Sequence, residues 1–194
     1  MTGQFHWYVN VYISINLSFV IYMVFNMVGK SGPLILLVIS IFLLYDKRTL
    51  FIYYIAGFLI NMGINLILKG IIQQPRPDID ISKFNAAMKD DRRFIFKDGV
   101  PYDIFGMPSG HSESCLFSST FVFLSLHNYK YLFIYLLLSV ITMTQRVVYN
   151  HHTVLQVIVG GIVGIPVGYL FFNLSKRQLG GIINAKKDDN APLN

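Results

Sequence analysis

The stretch RVVYNHHTVLQVIVGGIVGIPVG, residues 146–168, joins a polar turn to a long apolar run. The apolar residues predict a helix that begins near His152, so the polar residues would lie at a helix boundary. His152 and Gln156 are four residues apart and would share one face of that helix, whereas His151 would point about a quarter-turn away. The alternative is a hydrogen-bonded polar pair that only ties two helix ends together.

Three glycines of this stretch recur at every fourth residue, Gly160, Gly164 and Gly168. Small residues at helical spacing allow two helices in a membrane to approach each other closely. We therefore predict that this helix packs against a neighbour and that the contact fixes the position of His152.

The rest of the chain contains similar apolar runs. Hydrophobic residues make up 54% of the 194 residues and charged residues 13%, whereas about a quarter of an ordinary soluble domain is charged. Because roughly 20 mainly apolar residues cross the hydrocarbon core as a helix, the sequence predicts an all-α, single-domain membrane protein with six transmembrane helices. The predicted spans are about 8–28, 32–46, 49–69, 108–127, 130–149 and 152–173, followed by a tail over 174–194.

Several classes of function are disfavoured by the sequence. The net charge is +6, but the basic residues lie in loops, motifs and the tail, so we predict no nucleic-acid partner. The sequence has no HExxH motif, no Cys/His ligand set and no aspartate cluster, so we predict no metal site and no cofactor. A Walker-type loop is also absent, which disfavours nucleotide hydrolysis.

The segment KGIIQQPRP, residues 69–77, places Lys69 and Arg76 at the end of the third predicted span. Pro75 and Pro77 predict that the helix ends before them. The two cations would then lie at one membrane boundary. The alternative is that they only extend toward the water at the boundary.

The segment PSGHSES, residues 108–114, opens the fourth predicted span. The free backbone N–H groups of a helix start favour an anion, Ser109 lies close to them, and Gly110 permits close approach. His111 would stand beside that anion. The alternative is a helix cap followed by an incidental interfacial histidine.

The three polar segments lie at helix boundaries on one side of the predicted membrane domain, because the spans alternate in direction. Lys69, Arg76 and Arg146 would converge there with a serine, a helix start and two histidines. Guanidinium groups fork onto phosphate oxygens, and an ammonium adds a point charge. The combination predicts a phosphate site.

These segments resemble the motifs of the type 2 phosphatidic acid phosphatase superfamily, which are K-x6-RP, PSGH and SR-x5-H-x3-D. The matching residues are Lys69 to Pro77, Pro108 to His111 and Arg146 to Gln156, and the resemblance spans about 49–170. Gln145 stands where the family usually has serine, and Gln156 stands where it usually has aspartate. FGMPSGHSE and YNHHTVLQV are similar to the pattern of dolichyldiphosphatases, which carry glutamine at the second position.

The resemblance implies a helical bundle of the family type and a role for each matched residue. His152 would be the nucleophile that forms a phosphohistidine, His111 would be the general acid and base, and Gln156 would orient His152 through its amide oxygen. The phosphate would be held by Lys69, Arg76, Ser109, Gly110 and Arg146.

The resemblance also implies an integral membrane lipid phosphatase that needs no metal, with membrane lipids as its surroundings. The predicted substrate is a polyprenyl or dolichyl diphosphate, and the alternative is phosphatidate or a related phospholipid. A vanadium haloperoxidase and a non-catalytic lipid-binding protein are the other classes. We expect the active site on the luminal or extracytoplasmic side, although the basic residues are divided almost equally between the two sides.

Two features stay open at this stage. Glu113 lies close to a span, where an ionisable residue is a functional candidate by default, and it would pair with a cation of the site or point into water. The loop over 78–107 would cover a lipid headgroup or serve as a plain solvated connector, and the connector is the interpretation we favour.

Overall fold

The computed structural model describes residues 2–97 and 99–179, with side chains from residue 18 onward. The described chain is mostly helical, as predicted. Its elements in chain order are α1 (Thr2–Leu44), α2 (Arg48–Ile72), α3 (Ile81–Lys89), β1 (Phe94–Lys97), β2 (Val100–Asp103), α4 (Gly110–Leu126), α5 (Tyr129–Val148) and α6 (Val154–Gln178). Most of the predicted tail, from residue 180 onward, lies outside the described residues.

Helix α4 lies at the centre of the bundle and contacts α1, α2, α5 and α6. Its Phe117 and Phe121 are fully buried and pack around Tyr54 of α2, with ring centroids 5.7 Å and 5.4 Å apart. The Tyr54 hydroxyl also shares a hydrogen bond of 2.9 Å with Ser118. A buried phenol needs such a partner, so this apolar core also fixes the rotation of α4.

Four described helices are long and apolar enough to cross a membrane, over Ser18–Leu44, Arg48–Ile72, Tyr129–Val148 and Val154–Gln178. Helix α4 replaces the fourth predicted span, but it has only 17 residues and many buried serines. Six transmembrane helices are therefore not confirmed.

The prediction of two separate spans over 8–28 and 32–46 is wrong, because α1 is one continuous helix from Thr2 to Leu44. Pro33, near the start of the second predicted span, lies inside this helix. Gly29 faces Gln145 of α5, at a separation that leaves no room for a β-carbon. Gly29 is therefore a point of close packing between α1 and α5.

The glycines of α6 serve the same purpose. A β-carbon on Gly160 would meet the carbonyl oxygen of Ser109, and one on Gly164 would meet that of Glu113. Gly168 likewise faces the carbonyl oxygen of Phe117, where a β-carbon would come within 2.7 Å. The predicted packing role of the three glycines is confirmed, and the neighbour is α4.

The 78–107 segment is folded, so the prediction of a plain connector is wrong, and the hairpin adds a short β element to the all-α prediction. Strands β1 and β2 pair antiparallel, with Phe94 opposite Asp103. Ile104 and Phe105 are buried against Ala87 of α3. The Arg76 N–H donates to the carbonyl oxygen of Ile104 at 3.2 Å, which attaches the segment to the end of α2. The sequence prediction failed because this core has few residues and little periodicity.

Candidate active site

Lys69 lies in the last turn of α2 and is 5% exposed. The helix ends at Ile72, and Gln73 adopts a left-handed conformation with φ of 50°, as the two following prolines predicted. The Lys69 ammonium donates to the Asp103 carboxylate at 3.1 Å and to the carbonyl oxygen of Phe105 at 2.9 Å. Two of its three hydrogens are thus held by the 78–107 segment.

Arg76 follows the end of α2 and reaches the same place. Its Nε donates to the carbonyl oxygen of Asp103 at 2.7 Å, and its guanidinium lies 4.8 Å from the ring centroid of Tyr102. Its Nη1 lies 3.3 Å from the carbonyl oxygen of His151 and 3.1 Å from Nε2 of His152. The guanidinium is therefore directed at the predicted nucleophile.

The PSGH segment begins α4 beside the start of α6. The Ser109 N–H donates to the carbonyl oxygen of Gln156 at 2.9 Å, which joins the two helix starts directly. The Ser109 side chain is buried, and its hydroxyl oxygen accepts from Ser112 at 3.1 Å. Gly110 lies against Asn65, whose Oδ1 would be 3.0 Å from a β-carbon on Gly110.

His111 is half-buried in the first turn of α4. Its Nε2 lies 3.1 Å from the carbonyl oxygen of Lys30 on α1. Because a carbonyl oxygen only accepts, Nε2 carries the hydrogen. The other ring nitrogen, Nδ1, is then the atom with which His111 would exchange a proton.

The turn between α5 and α6 is held by the backbone of Arg146. Its carbonyl oxygen accepts from the N–H groups of His151 at 3.0 Å and of His152 at 3.1 Å. The Arg146 side chain is 8% exposed, and its Nε is a buried donor without a hydrogen-bond partner among the described residues. Within residues 18–97 and 99–179, neither Arg146 nor Arg76 forms a salt bridge with a carboxylate.

The tautomer of His152 follows from the orientation of the Gln156 amide. Gln156 Nε2 donates to the carbonyl oxygen of Pro75 at 3.0 Å, while Gln156 Oε1 accepts from the N–H of Thr153 at 3.2 Å. These backbone partners have fixed roles, so Oε1 faces Nδ1 of His152, 3.2 Å away, as an acceptor. Nδ1 therefore carries the hydrogen and Nε2 presents a lone pair.

Gln156 also begins α6. The Thr153 hydroxyl accepts from the N–H of Gln156, and the Gln156 side chain accepts from the N–H of Thr153, which together form a capping box. The side chain that accepts from His152 is thus fixed by the start of its own helix.

The charge state of His152 suits attack on phosphorus. Burial lowers the pKa of His152 far below its ordinary value, and the positive charges of Arg76, Arg146 and Lys69 lower it further. The imidazole is therefore neutral at physiological pH and keeps its lone pair. Arg76 lies 3.1 Å from the ring, and the positive charges of all three cations act on it, as an anion site requires.

The neighbouring histidine has different surroundings. His151 Nδ1 is 3.8 Å from the Asp78 carboxylate, which also accepts from Lys97 at 2.9 Å and from the Tyr102 hydroxyl. Burial lowers the pKa of His151, and Arg146 lowers it further. The ring of His151 thus faces the 78–107 segment and not Gln156.

Among the residues that the structure describes, Glu113 forms no ion pair with a cation of the site, and its side chain does not reach the surface. It is fully buried, and its Oε2 accepts from Asn65 Nδ2 at 2.6 Å. Asn65 Nδ2 also lies 3.2 Å from the carbonyl oxygen of Pro108. Glu113 therefore supports the PSGH segment from inside the bundle.

Asp103 is a site residue that sequence reasoning missed. Burial alone would raise the pKa of Asp103, but the hydrogen bonds of Arg93 and the charge of Lys69 outweigh it, so the pKa lies below its ordinary value. The only signal in the sequence was an acidic residue between aromatic residues in the loop. Nothing in that pattern indicates that the loop folds back onto α2.

Gln145, which stands where the family usually has serine, contacts α1. The Gln145 amide donates to Asn26 of α1 at 2.9 Å, so this departure from the family motif belongs to a helix contact and not to the phosphate site. The described residues contain no group of three or more His, Cys, Asp or Glu arranged to hold a metal ion.

All three motifs lie inside the region that matches a protein family. A model of the PAP2 superfamily matches residues 50–179. The chain belongs to the PAP2 superfamily. The predicted family is confirmed, and the four apolar helices together with this membership identify a membrane protein.

Several curated relatives of this PAP2 chain are phosphatases. Dolichyldiphosphatase 1 of Rhinolophus ferrumequinum is 27% identical over 169 residues, which cover 76% of this chain and 63% of the relative. The dolichyldiphosphatase of Saccharomyces cerevisiae is 34% identical over 140 residues, covering 66% and 53%. Lipid A 4'-phosphatase of Helicobacter pylori (strain J99) is 31% identical over 124 residues, covering 63% and 56%. The chain spans between about half and two thirds of the length of these relatives. No solved structure matches it.

Proposed function

We propose that this PAP2 protein hydrolyses the terminal phosphate of a polyprenyl diphosphate in a membrane, through a phosphohistidine on His152. The observation that carries the proposal is the position of the His152 imidazole. Gln156 Oε1 accepts the hydrogen bond of Nδ1, and Nε2 faces Arg76. Nearby, Arg146 has no carboxylate partner among the residues that the structure describes. This arrangement suits a neutral nucleophile next to an anion.

The first step would transfer phosphate to the histidine. The terminal phosphate would replace the contact between Arg76 and His152, and the lone pair of Nε2 would form a bond to phosphorus. The bond from phosphorus to the bridging oxygen would break, and that oxygen would take a proton from His111. Lys69, Arg76, Arg146 and the start of α4 would stabilise the charge on the phosphoryl oxygens.

The second step would release the phosphate. A water molecule would give a proton to His111 and attack phosphorus, and the electron pair of the P–N bond would return to Nε2. The products are a lipid monophosphate and inorganic phosphate. Because Nε2 of His111 donates to the carbonyl oxygen of Lys30, Nδ1 would be the atom that exchanges the proton in both steps.

A groove beside His111 supports a lipid substrate. It has a volume of about 500 Å³ and is formed by α1, α2 and α4. Its apolar lining consists of Pro33, Leu34, Leu37, Phe58, Met62 and Leu66. Leu34 and Leu66 are also exposed on the outer surface of the bundle, so hydrocarbon could enter from the bilayer. The two dolichyldiphosphatase relatives favour an isoprenoid chain in this groove.

The test is phosphate release from purified protein in detergent with EDTA present. Undecaprenyl diphosphate would be compared with phosphatidate and with lipid A, which the lipid A 4'-phosphatase relative makes a relevant alternative. We expect the highest kcat/KM with the diphosphate, loss of turnover in His152→Ala, and retained turnover in the matched variant His151→Ala. Rapid acid-free quenching should trap phosphate on His152. Release from none of the lipids would refute the proposal.

A further inference from the structure

Gln74 contacts the amide that orients the nucleophile. Its Oε1 accepts from Gln156 Nε2 at 3.0 Å, so the two hydrogens of that amide go to Gln74 and to the carbonyl oxygen of Pro75. Gln74 occupies one of the six variable positions of the K-x6-RP motif, so no role was predicted for it. It is half-buried, unlike its exposed neighbour Gln73.

The backbone of Gln74 joins another part of the site. Its carbonyl oxygen accepts from the N–H of Gly106 at 2.7 Å. Gly106 itself lies against the Gln156 amide, which would be 2.6 Å from a β-carbon at that position. Gln74 thus contacts both the nucleophile turn and the approach to PSGH, two residues before Arg76.

We propose that Gln74 is a positioning residue for His152 and that it acts through Gln156. An amide at position 156 can rotate about its last side-chain bond, and a reversed amide would direct hydrogens at Nδ1 of His152. The side-chain carbonyl of Gln74 favours the orientation in which Gln156 Oε1 faces His152. Together with the carbonyl oxygen of Pro75 and the N–H of Thr153, it thereby reinforces the tautomer in which Nε2 carries no hydrogen. This inference rests on the proposed phosphatase function and identifies a further residue of the same site.

The side chains at 74 and 156 form a matched pair. A donor at 156 needs an acceptor at 74, so loss of the acceptor leaves a buried N–H without its partner. A carboxylate at 74 would keep the acceptor and form a stronger, charge-assisted hydrogen bond. Its negative charge would also raise the pKa of His152. A side chain that only tethers the loop would show neither effect.

The test compares Gln74→Met, Gln74→Glu and the control Gln73→Met, with undecaprenyl diphosphate as the probe. We expect Gln74→Met to lower kcat about tenfold and to change KM less than about twofold, because only the nucleophile's geometry is affected. Gln74→Glu should retain most of the turnover and move the acid limb of kcat/KM to higher pH. Unchanged kcat in Gln74→Met, an equal loss in Gln73→Met, or no rescue by glutamate would overturn the inference.

A second measurement does not depend on turnover. Nitrogen-15 NMR of histidine-labelled protein, assigned with His152→Ala, reports which ring nitrogen carries the hydrogen. We expect the Nδ1–H form at His152 in the unmodified protein and a growing Nε2–H fraction in Gln74→Met. An identical spectrum in both would refute the positioning role. If no lipid is hydrolysed but this shift occurs, the proposed function fails and the role of Gln74 stands.

Discussion

The turn over 146–156 and the 78–107 segment meet at one site but carry their charges in opposite ways. In the segment, the Asp103 carboxylate is compensated by Lys69, Arg93 and the N–H of Phe105. In the turn, Arg146 is buried with a donor that has no partner among the described residues. A compensated charge holds structure together, whereas an uncompensated one is available to a ligand. The comparison therefore distinguishes Asp103 and its partners, which stabilise the structure of the site, from Arg146, which is available to a ligand.

Arg146→Met gives the largest expected effect and tests the uncompensated side. We expect kcat/KM to fall between about 10²- and 10³-fold, as for the loss of one group that stabilises a transition-state anion. The thermal unfolding temperature should not fall, because removal of an unpaired buried charge relieves a desolvation cost. Lys69→Met is the contrast, since it also deprives Asp103 of a partner and should lower the unfolding temperature. Equal destabilisation by both variants would contradict the comparison.

Substitutions of Gln156 test the turn over 146–156 at a second residue. We expect Gln156→Ala to lower kcat about 10²-fold and Gln156→Asp about tenfold, by analogy with the outer partners that orient metal-binding histidines. Aspartate is shorter and cannot donate to Pro75 or Gln74, so the family's usual residue should not improve this site. Its charge would raise the pKa of His152, so the acid limb of kcat/KM should move to higher pH. A fully active alanine variant would exclude an orienting role.

Asp103→Asn tests the compensated side. We expect kcat/KM to fall about tenfold, because Lys69 and Arg93 lose the carboxylate that fixes them. The folded-state pKa of Asp103 is depressed, so its contribution to stability is present above its unfolded pKa and is lost as the pH falls through the folded value. The asparagine variant should therefore lose stability above pH 5 and show a flatter acid dependence.

The control for this variant is Asp90→Asn. Asp90 pairs with Arg92 at 3.3 Å, and both side chains are more than half exposed. Exposed ion pairs contribute little to stability, so unfolding followed by circular dichroism should be unchanged. A comparable loss in Asp90→Asn would mean that the segment responds to any removed charge.

Gly106→Ala gives the smallest expected effect and tests the border between the two regions. The added methyl group would press on the Gln156 amide, and we expect kcat to fall about fivefold, which corresponds to about 1 kcal/mol. Gly63→Ala on α2 is the matched change, because a β-carbon there would meet no described atom within 4 Å apart from its own stretch of helix. It should remain fully active, and a loss there equal to that of Gly106→Ala would argue against a local clash.

The sequence allowed prediction of the parts of the site that depend on spacing along a helix. His152 and Gln156 lie one turn apart, so their contact follows from helical geometry, and the prolines after Lys69 correctly placed the end of α2. The partners of Lys69 and Arg76 could not be predicted, because Asp103 and Tyr102 reach them through a fold-back with little periodicity. Gln74 was hidden for a related reason, since its role depends on a partner 82 positions away.

Dependence on residues distant in the sequence also explains why two spans were predicted where the structure has the single helix α1. Gly29, Gly32 and Pro33 lie at the boundary between the two predicted spans, but glycine and proline occur both in loops and in closely packed helices. Only the presence of Gln145 and Thr142 on the facing helix decides between the two, as their contacts with Gly29 and Gly32 show. That information is not local to the segment.

The face of α6 that carries Gly160, Gly164 and Gly168 determines which substitutions this membrane domain can accept. At Gly160 and Gly164 the helix rests on main-chain carbonyls of α4, so the separation of the two helices does not depend on the size of interlocking side chains. The outward surface of α6 includes Ile158, Ile162 and Ile165. Substitutions there could adapt the helix to the thickness or composition of the surrounding bilayer. The spacing between His152 and the start of α4 would stay the same, so such substitutions would leave the geometry of the candidate site unchanged.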